Sequence, residues 1–309
     1  MKDFFLYCFS SAYGIGLWLN TAGILMFGAL GNCAANRSGN MFLGGEGIIY
    51  LSGFTACTVF VSTASLPAPV SFILSLFASI AVSVLFTLIL AFLYEAKGTL
   101  ILLSSFILSS AVIPLIDGAI TSSKTSDLSN LLALPFISKD VRLTKLIPPS
   151  PFNVSFFAAL ILCVVLYILF TRTRYGRRMS IWGTAPEFAK YSGFDRKSNT
   201  YGSMILCGVL HGLSGFFSVC GTYYTCHKGF YAGMGWNALT ASLIAKSNPL
   251  FVLPSTLFLS WLFNSTDYIA LTHNFGFDVT SILQGIILFL TAVPVTFSFI
   301  KKTFREHKK

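Results

Sequence analysis

Charged residues are scarce in this sequence, and their scarcity decides the class of protein. Asp, Glu, Lys and Arg make up 10% of the 309 residues, whereas 54% are hydrophobic and the mean hydropathy is +0.74. A typical soluble domain carries roughly 25% charged residues. A chain so poor in charge is predicted to lie mainly in a membrane rather than in water.

The sequence also lacks the motifs of nucleotide binding and catalysis. No Gly-x-x-x-x-Gly-Lys-Ser/Thr loop occurs, so the chain is not expected to bind ATP as a P-loop protein does. No nucleophile–base pattern is present, and the seven cysteines are scattered without metal-ligand spacing. We therefore predict no catalytic residue, no metal site and no cofactor. The cysteines are expected to be buried apolar side chains, with a Cys220–Cys226 disulfide as the less favoured alternative.

Long apolar runs fill most of the chain. A transmembrane helix needs about 20 apolar residues, whereas a membrane barrel shows alternation over about ten. We expect an all-α bundle of about eight or nine spans in one domain, residues 1–309. The predicted segments are Phe9–Gly31, Met41–Ser62, Pro69–Leu93, Leu100–Ile120, Phe152–Thr171, Gly202–Thr222, Ala232–Ala245, Asn248–Ser265 and Val279–Ile300. The seventh and eighth are short, so residues 232–265 are predicted to form two thin spans or a broken, re-entrant pair.

The positive charge falls largely on one side of the predicted bundle. If residues 172–199 are cytoplasmic, the alternation of spans places 15 of the 21 basic residues on that side, including the C-terminal tail "KKTFREHKK". This asymmetry follows the positive-inside rule. The net charge of +10 is therefore interpreted as a topology signal, without a nucleic-acid partner, and the C-terminus is predicted to be cytoplasmic.

Two polar connections separate the apolar segments. Residues 121–151 are external on this map, with a short apolar core that could form a small surface helix. In the cytoplasmic connection, residues 172–199, "TAPEFAKYSGF" has the pattern of a short helix: Thr184 as its cap, Pro186 in its first turn and Gly193 at its end. The residues alone leave two functions open for this amphipathic helix, namely attachment to anionic lipid or docking into a partner protein.

Three sequence blocks narrow the interpretation. They are "NRSGNMFLGGEGIIYLSGF", "RTRYGRRMSIWGTAPEFAKYSGF" with the span "MILCGVLHGLSGFFSV" after it, and "GMGWNALTASLIAKSNPLFVLPSTLF". In this order they resemble blocks of bacterial ABC-importer permeases, the family of branched-chain amino acid, ribose and nucleoside permeases. The resemblance covers most of the chain and is closest to the second permease of nucleoside-type or riboflavin importers. The chain departs from the family pattern at Ala185, where the family has Asn, and at Lys246, where it has Gly.

The resemblance implies a function and a set of partners. The chain would be a multi-pass inner-membrane permease subunit for a purine nucleoside or riboflavin. It would work with a separate ATPase subunit, a second homologous permease and an external solute-binding lipoprotein, which residues 121–151 would dock. The short cytoplasmic helix would contact the ATPase through Ala185, Pro186, Glu187, Phe188, Ala189, Tyr191 and Gly193.

The carboxylate of Glu46 lies among five glycines in an apolar stretch. A charge at membrane depth costs on the order of 2.5–3.5 kcal/mol, so it needs a partner or water. Near the predicted cytoplasmic end of its span, Glu46 is interpreted first as a brace that accepts hydrogen bonds from backbone N–H groups or Arg37. The alternative places it on the translocation path. The candidate path residues are Glu46, Tyr50, Trp236, Asn237 and Thr240, with helix packing or lipid contact as the alternative for the last four.

Other functions remain open at this point. A sugar or branched-chain amino acid permease of the same family is the nearest alternative. An ion-coupled secondary transporter would require an acidic residue in the centre of a span; Glu46 is the candidate, and its expected position is off-centre. A membrane enzyme would require a catalytic cluster, which the sequence does not show.

Overall fold

The computed structural model describes residues 8–9, 11–122, 132–272 and 279–291. Over these residues the chain is almost entirely helical, as predicted, with no strand beyond a single bridge between Ala133 and His227. The helices are α1 (Ala12–Arg37), α2 (Gly45–Ser62), α3 (Ala68–Lys97), α4 (Ile101–Ser122), α5 (Ser155–Arg172), α6 (Arg174–Thr184), α7 (Pro186–Tyr191), α8 (Arg196–Ser218), α9 (Met234–Ile244), α10 (Pro249–Thr272) and α11 (Val279–Thr291).

Six of the described helices, α1 to α5 and α8, are long and apolar enough to cross a membrane. The polytopic helical bundle predicted from the sequence is therefore confirmed. The seventh apolar segment is indeed short, since α9 has 11 residues and reaches only about 16 Å. The eighth was expected to be short as well, and this is wrong, because α10 has 24 residues. Residues 292–300 of the ninth segment lie outside the described residues.

Two helices form the centre of the bundle. In α1 and α8, 72% of the most apolar window is buried inside the protein, against 22% in α4 and 28% in α5. Small residues allow this close packing. At Gly28, for example, α9 comes so near that a Cβ added to the glycine would lie only 2.9 Å from the Cβ of Ala238. In a membrane, such small residues let helix backbones approach one another. The apolar outer faces of α4 and α5 are left for contact with lipid or another protein.

A row of small hydroxyl residues on α3 faces the interior and was not predicted from the sequence. Its members recur every fourth residue and are fully or almost fully buried: Ser71, Ser75, Ser79, Ser83 and Thr87. The Ser75 hydroxyl donates to the carbonyl of Ala56 on α2 at 3.0 Å. A Cβ at Gly212 of α8 would lie 2.9 Å from the Ser83 hydroxyl. This row, continued by the buried residues Phe86, Leu90 and Ala91, joins α3 to both α2 and α8, and the opposite face of α3 points outward.

The loop between α4 and α5 packs on the segment that follows α8. Its apolar core, which could have formed a surface helix, is extended instead: Leu134 N–H donates to Cys226 O at 3.0 Å, and Ile137 N–H donates to Tyr224 O at 2.9 Å. A 3-10 turn, Lys139–Val141, follows. The burial of Leu134 and Ile137 explains the extended form, because backbone bonds to a neighbouring segment replace those of a helix. Cys220 and Cys226 are both free thiols.

Candidate functional site

Between α1 and α2 the chain runs into the interior of the bundle in a non-helical conformation. Asn40 Nδ2 donates to Ser203 Oγ of α8 at 3.4 Å, and two residues later the Phe42 ring lies 5.2 Å from the His211 ring. Residues 38–44 therefore run inward along α8, and α2 begins inside the bundle. Glu46 is thus deeper than expected from its distance in sequence to Arg37.

Hydroxyls of α4 complete the buried start of α2. The Leu43 N–H donates to Ser105 Oγ at 3.0 Å, and the Gly47 N–H donates to Ser109 Oγ at 2.8 Å. The first N–H groups of a helix have no partner within the helix, and an unsatisfied group in the membrane interior costs several kcal/mol. Ser109 removes this cost for Gly47 in the first turn of α2, and Ser105 does so for Leu43, which precedes the helix.

A second helix, α9, also begins in the interior. Its residue Ala238 lies against Gly28 in the middle of α1, and Ser242 near its end lies 3.2 Å from the Cys33 thiol and within hydrogen-bond reach of Asn36. Helix α9 therefore covers only the half of the bundle in which α1 ends. Its N-cap is Gly233, whose φ of +77° is a conformation that glycine adopts without strain.

Glu46 joins these two buried helix starts. Its carboxylate Oε1 accepts a hydrogen bond from the Gly233 N–H at 2.9 Å, and the Trp236 side chain interacts with the same carboxylate. A Cβ at Gly235 would collide with the backbone of Gly45 and Glu46, so the two helix ends touch directly. A carboxylate at a helix N-terminus is stabilised by the helix dipole. This is the geometry of a hydrogen-bonding brace.

The other candidate path residues occupy different surroundings. Tyr50 is fully buried and donates to Asp117 Oδ1 of α4 at 2.6 Å. Thr240 is buried and donates to the Trp236 carbonyl of its own helix at 2.8 Å. The Trp236 ring lies 6.4 Å from that of Phe106 on α4. Asn237, by contrast, faces a cavity.

This cavity, which we call the α1–α10 cavity, has a volume of about 370 Å³. It lies at the end of the bundle where α1 begins and α10 ends, and Met234 and Asn237 of α9 form part of its wall. Its polar and aromatic lining includes Asn20, Asn237, Asn264, Asp267, Gln284, Tyr223, Phe230, Phe263 and Tyr268. Small-molecule sites are typically concave apolar pockets of at least 300 Å³ with a few polar groups. Of these residues, Asn237 was a predicted path residue, and Asn20 was expected to face the interior of the bundle. The others were not predicted, because they come together from separate helices.

The opposite end of the bundle carries α6 and α7. Pro186 begins α7 and Gly193 follows it with φ +73°, as the sequence pattern indicates. The N-cap is Ala185 and not Thr184 as expected, since the Thr184 hydroxyl donates to the Ser180 carbonyl of α6 at 2.8 Å. The connection therefore holds two helices, of which the sequence analysis described one.

The outward face of α7 is unusually exposed. Tyr191 is 89% exposed and Phe188 is 61% exposed, whereas Ala189 is completely buried. A cavity of about 500 Å³ lies between α7 and the ends of α1 and α8. At the base, Arg37 Nε donates to Ser180 Oγ at 2.6 Å. This segment is thus anchored to α1 on one side and presents two aromatic side chains on the other.

The bundle, its half-helix and the anchored helices α6 and α7 are those of a membrane-spanning protein. Residues 14–299 match the family model described as "Branched-chain amino acid transport system / permease component". The chain belongs to this family of ABC-transporter permeases. It is a multi-pass membrane subunit of a transporter.

Relatives within the family have assigned substrates. The chain is 31% identical over 292 residues to the "Probable riboflavin import permease protein RfuC" of Treponema pallidum, covering 94% of this chain and 77% of the relative. It is 23% identical over 272 residues to the "Nucleoside ABC transporter permease protein NupB" of Lactococcus lactis, covering 84% and 74%. Nucleoside permease NupC of the same organism is 23% identical over 287 residues, covering 89% and 86%. No solved structure matches this chain.

Proposed function

We propose that this chain carries riboflavin or a purine nucleoside across the inner membrane. The similarity to a riboflavin permease and to two nucleoside permeases carries the proposal. The size and mixed polar and aromatic lining of the α1–α10 cavity support it, since a ring-bearing nutrient needs both an apolar surface and groups that hydrogen-bond its edge.

The energy for transport comes, in this proposal, from a separate ATPase subunit that contacts residues 185–193. The exposed Phe188 and Tyr191 rings support such a contact, because aromatic side chains are enriched at protein interfaces. The anchoring of α6 to Arg37 supports a mechanical role, since a push on α7 is passed directly to α1. Alternating access in transporters is largely such rigid-body movement around a central site.

Two further partners complete the assembly. A second homologous permease would pair with this chain through apolar outer surface. A solute-binding lipoprotein would dock on the loop between α4 and α5, whose described part is fixed to the segment after α8 by backbone hydrogen bonds. In this proposal α6, α7 and the C-terminus lie in the cytoplasm, and the α1–α10 cavity lies in the external half of the bundle.

Glu46 is a positioning residue in this proposal. It holds the start of the half-helix α9 against the start of α2, and Asn237 rather than Glu46 meets the solute. Tyr50, Trp236 and Thr240 then stabilise the surrounding helices.

Uptake of labelled solutes tests the substrate. Cells that lack the gene, with and without a plasmid copy, are compared for uptake of labelled riboflavin, guanosine, ribose and leucine. The proposal expects restored uptake of riboflavin or guanosine only. Restored uptake of ribose or leucine alone would instead support a sugar or amino acid permease.

A further inference from the structure

We propose that the α1–α10 cavity binds an uncharged solute with a flat, hydrogen-bonding ring, and that it rejects the phosphorylated form of the same solute. The inference rests on the proposed function and adds the site and its selectivity. Riboflavin would be accepted over flavin mononucleotide, and guanosine over guanosine monophosphate.

Side-chain amides in the cavity are available to a ligand. Among the described residues, the side chains of Asn237 on α9 and Gln284 on α11 make no hydrogen bond, and both line the cavity. The Asn264 amide of α10 makes one long bond, donated to Thr21 Oγ1 at 3.5 Å. An amide offers two donors and an acceptor side by side. This pattern complements the alternating C=O and N–H groups on the edge of a purine or flavin ring.

Aromatic rings supply a surface for the face of such a ring. The Tyr223 and Phe230 rings lie 5.5 Å apart at an interplanar angle of 57°, and both line the cavity together with Phe263 and Tyr268. Aromatic rings prefer offset or edge-to-face contacts at these distances. The cavity therefore combines ring contacts with hydrogen-bonding amides.

The charge in the cavity argues against an anionic solute. Among the described residues of its lining, Asp267 is a carboxylate and none is Lys, Arg or His. The N-terminus of α9, the positive end of the helix dipole, would also attract an anion. Its N-cap N–H, however, is already bonded to the Glu46 carboxylate. A phosphate group adds about 1.5 to 2 negative charges near neutral pH. Placed near Asp267 without a cation, such a group is repelled, and repulsion of this kind produces specificity.

The inference is tested by measuring solute binding to the unmodified, full-length permease in lipid nanodiscs. Retention of radiolabelled riboflavin on the nanodiscs reports binding, and competition by unlabelled guanosine, flavin mononucleotide and guanosine monophosphate reports selectivity. We expect the phosphorylated compounds to compete at least about tenfold more weakly than their uncharged forms. Equal competition by the phosphorylated forms would overturn the proposed selectivity in the unmodified protein.

Variants locate the site. Asn237→Leu should weaken the binding of riboflavin or guanosine about tenfold or more, because a buried hydrogen-bonding site strongly rejects a mismatched partner. Asp267→Asn should reduce the difference in affinity between each uncharged solute and its phosphorylated form. The matched control is Asn199→Leu, at the other end of the bundle beside the cytoplasmic cavity, with binding within twofold of the original. Unchanged binding by Asn237→Leu in a protein that still transports riboflavin or guanosine would reject the cavity and leave the proposed function standing. Failure of the unmodified complex to bind or transport either solute would reject both.

Discussion

The interior helix breaks and the segment that carries α6 and α7 are built in opposite ways. In the interior, residues 38–44 and 224–233 leave regular α-helical structure where glycines let backbones touch, and N–H groups at these breaks are bonded by side chains from other helices. In the segment with α6 and α7, the bonds that cap and join the helices are mostly local, and large side chains point outward.

The difference reflects the solvent of each region. Backbone groups of an exposed turn can bond to water, so local capping is sufficient for α6 and α7, and the outward face of α7 is free for a partner. Inside a membrane each such group needs a protein partner. The interior breaks consequently depend on several helices at once, and they are expected to be the less tolerant of substitution.

Substitution at the contact between the two buried helix starts should have the largest effect. A side chain at Gly235 collides with the backbone of Gly45 and Glu46, so Gly235→Val should sharply reduce the amount of folded protein, with a loss of stability of roughly 3 kcal/mol or more. Membrane abundance and the melting temperature in detergent measure this. The control is Gly118→Ala on α4, where the added Cβ meets nothing within 4 Å. Normal abundance of Gly235→Val would show that the interior contact tolerates change.

Truncation of the exposed face of α7 should affect transport without affecting folding. The double substitution Phe188→Ala and Tyr191→Ala is expected to lower uptake about tenfold or more, because interface aromatics are often energetic hot spots, and to abolish the stimulation of ATP hydrolysis by solute. Phe92→Ala on α3, which truncates another exposed ring, serves as the control. Full uptake by the double variant would remove these rings from the ATPase contact.

The two regions also differ in how far the sequence predicts them. Pro186 and Gly193 correctly marked the ends of α7, because both act through local backbone conformation. The partner of Glu46 was not predictable, since Gly233 is 187 residues away and the bond depends on the packing of two helices. Ser105 and Ser109 of α4 and Ser75 of α3 were missed for the same reason, as each bonds a backbone group outside its own helix.

Substitution of Glu46 separates the brace from a residue on the translocation path. Glu46→Gln keeps a carbonyl oxygen for the Gly233 N–H and should change stability little, whereas Glu46→Leu leaves this buried donor without a partner at a cost of about 1–3 kcal/mol. Melting temperatures of the two variants measure the difference. Uptake of several solutes serves as the second measurement. A Gln variant of normal stability that changes the order of substrate preference would place Glu46 on the path instead.

The bond between Tyr50 and Asp117 should have the smallest effect. Tyr50→Phe removes a 2.6 Å hydrogen bond but keeps the ring against that of Tyr231 at 4.4 Å. The Asp117 carboxylate retains Lys228 Nζ at 4.0 Å, so the loss should be about 1–2 kcal/mol. A modest fall in melting temperature with unchanged uptake is expected. Loss of uptake at normal stability would contradict a purely structural role for Tyr50.

Transport by the purified assembly tests the central claim most directly. The permease is reconstituted in liposomes with its companion permease, ATPase and binding protein, and uptake of labelled riboflavin and guanosine is measured with and without ATP. We predict accumulation only when ATP and the ATPase are both present, and none on an imposed proton or sodium gradient. Accumulation by this chain alone on an ion gradient, without nucleotide, would contradict the account.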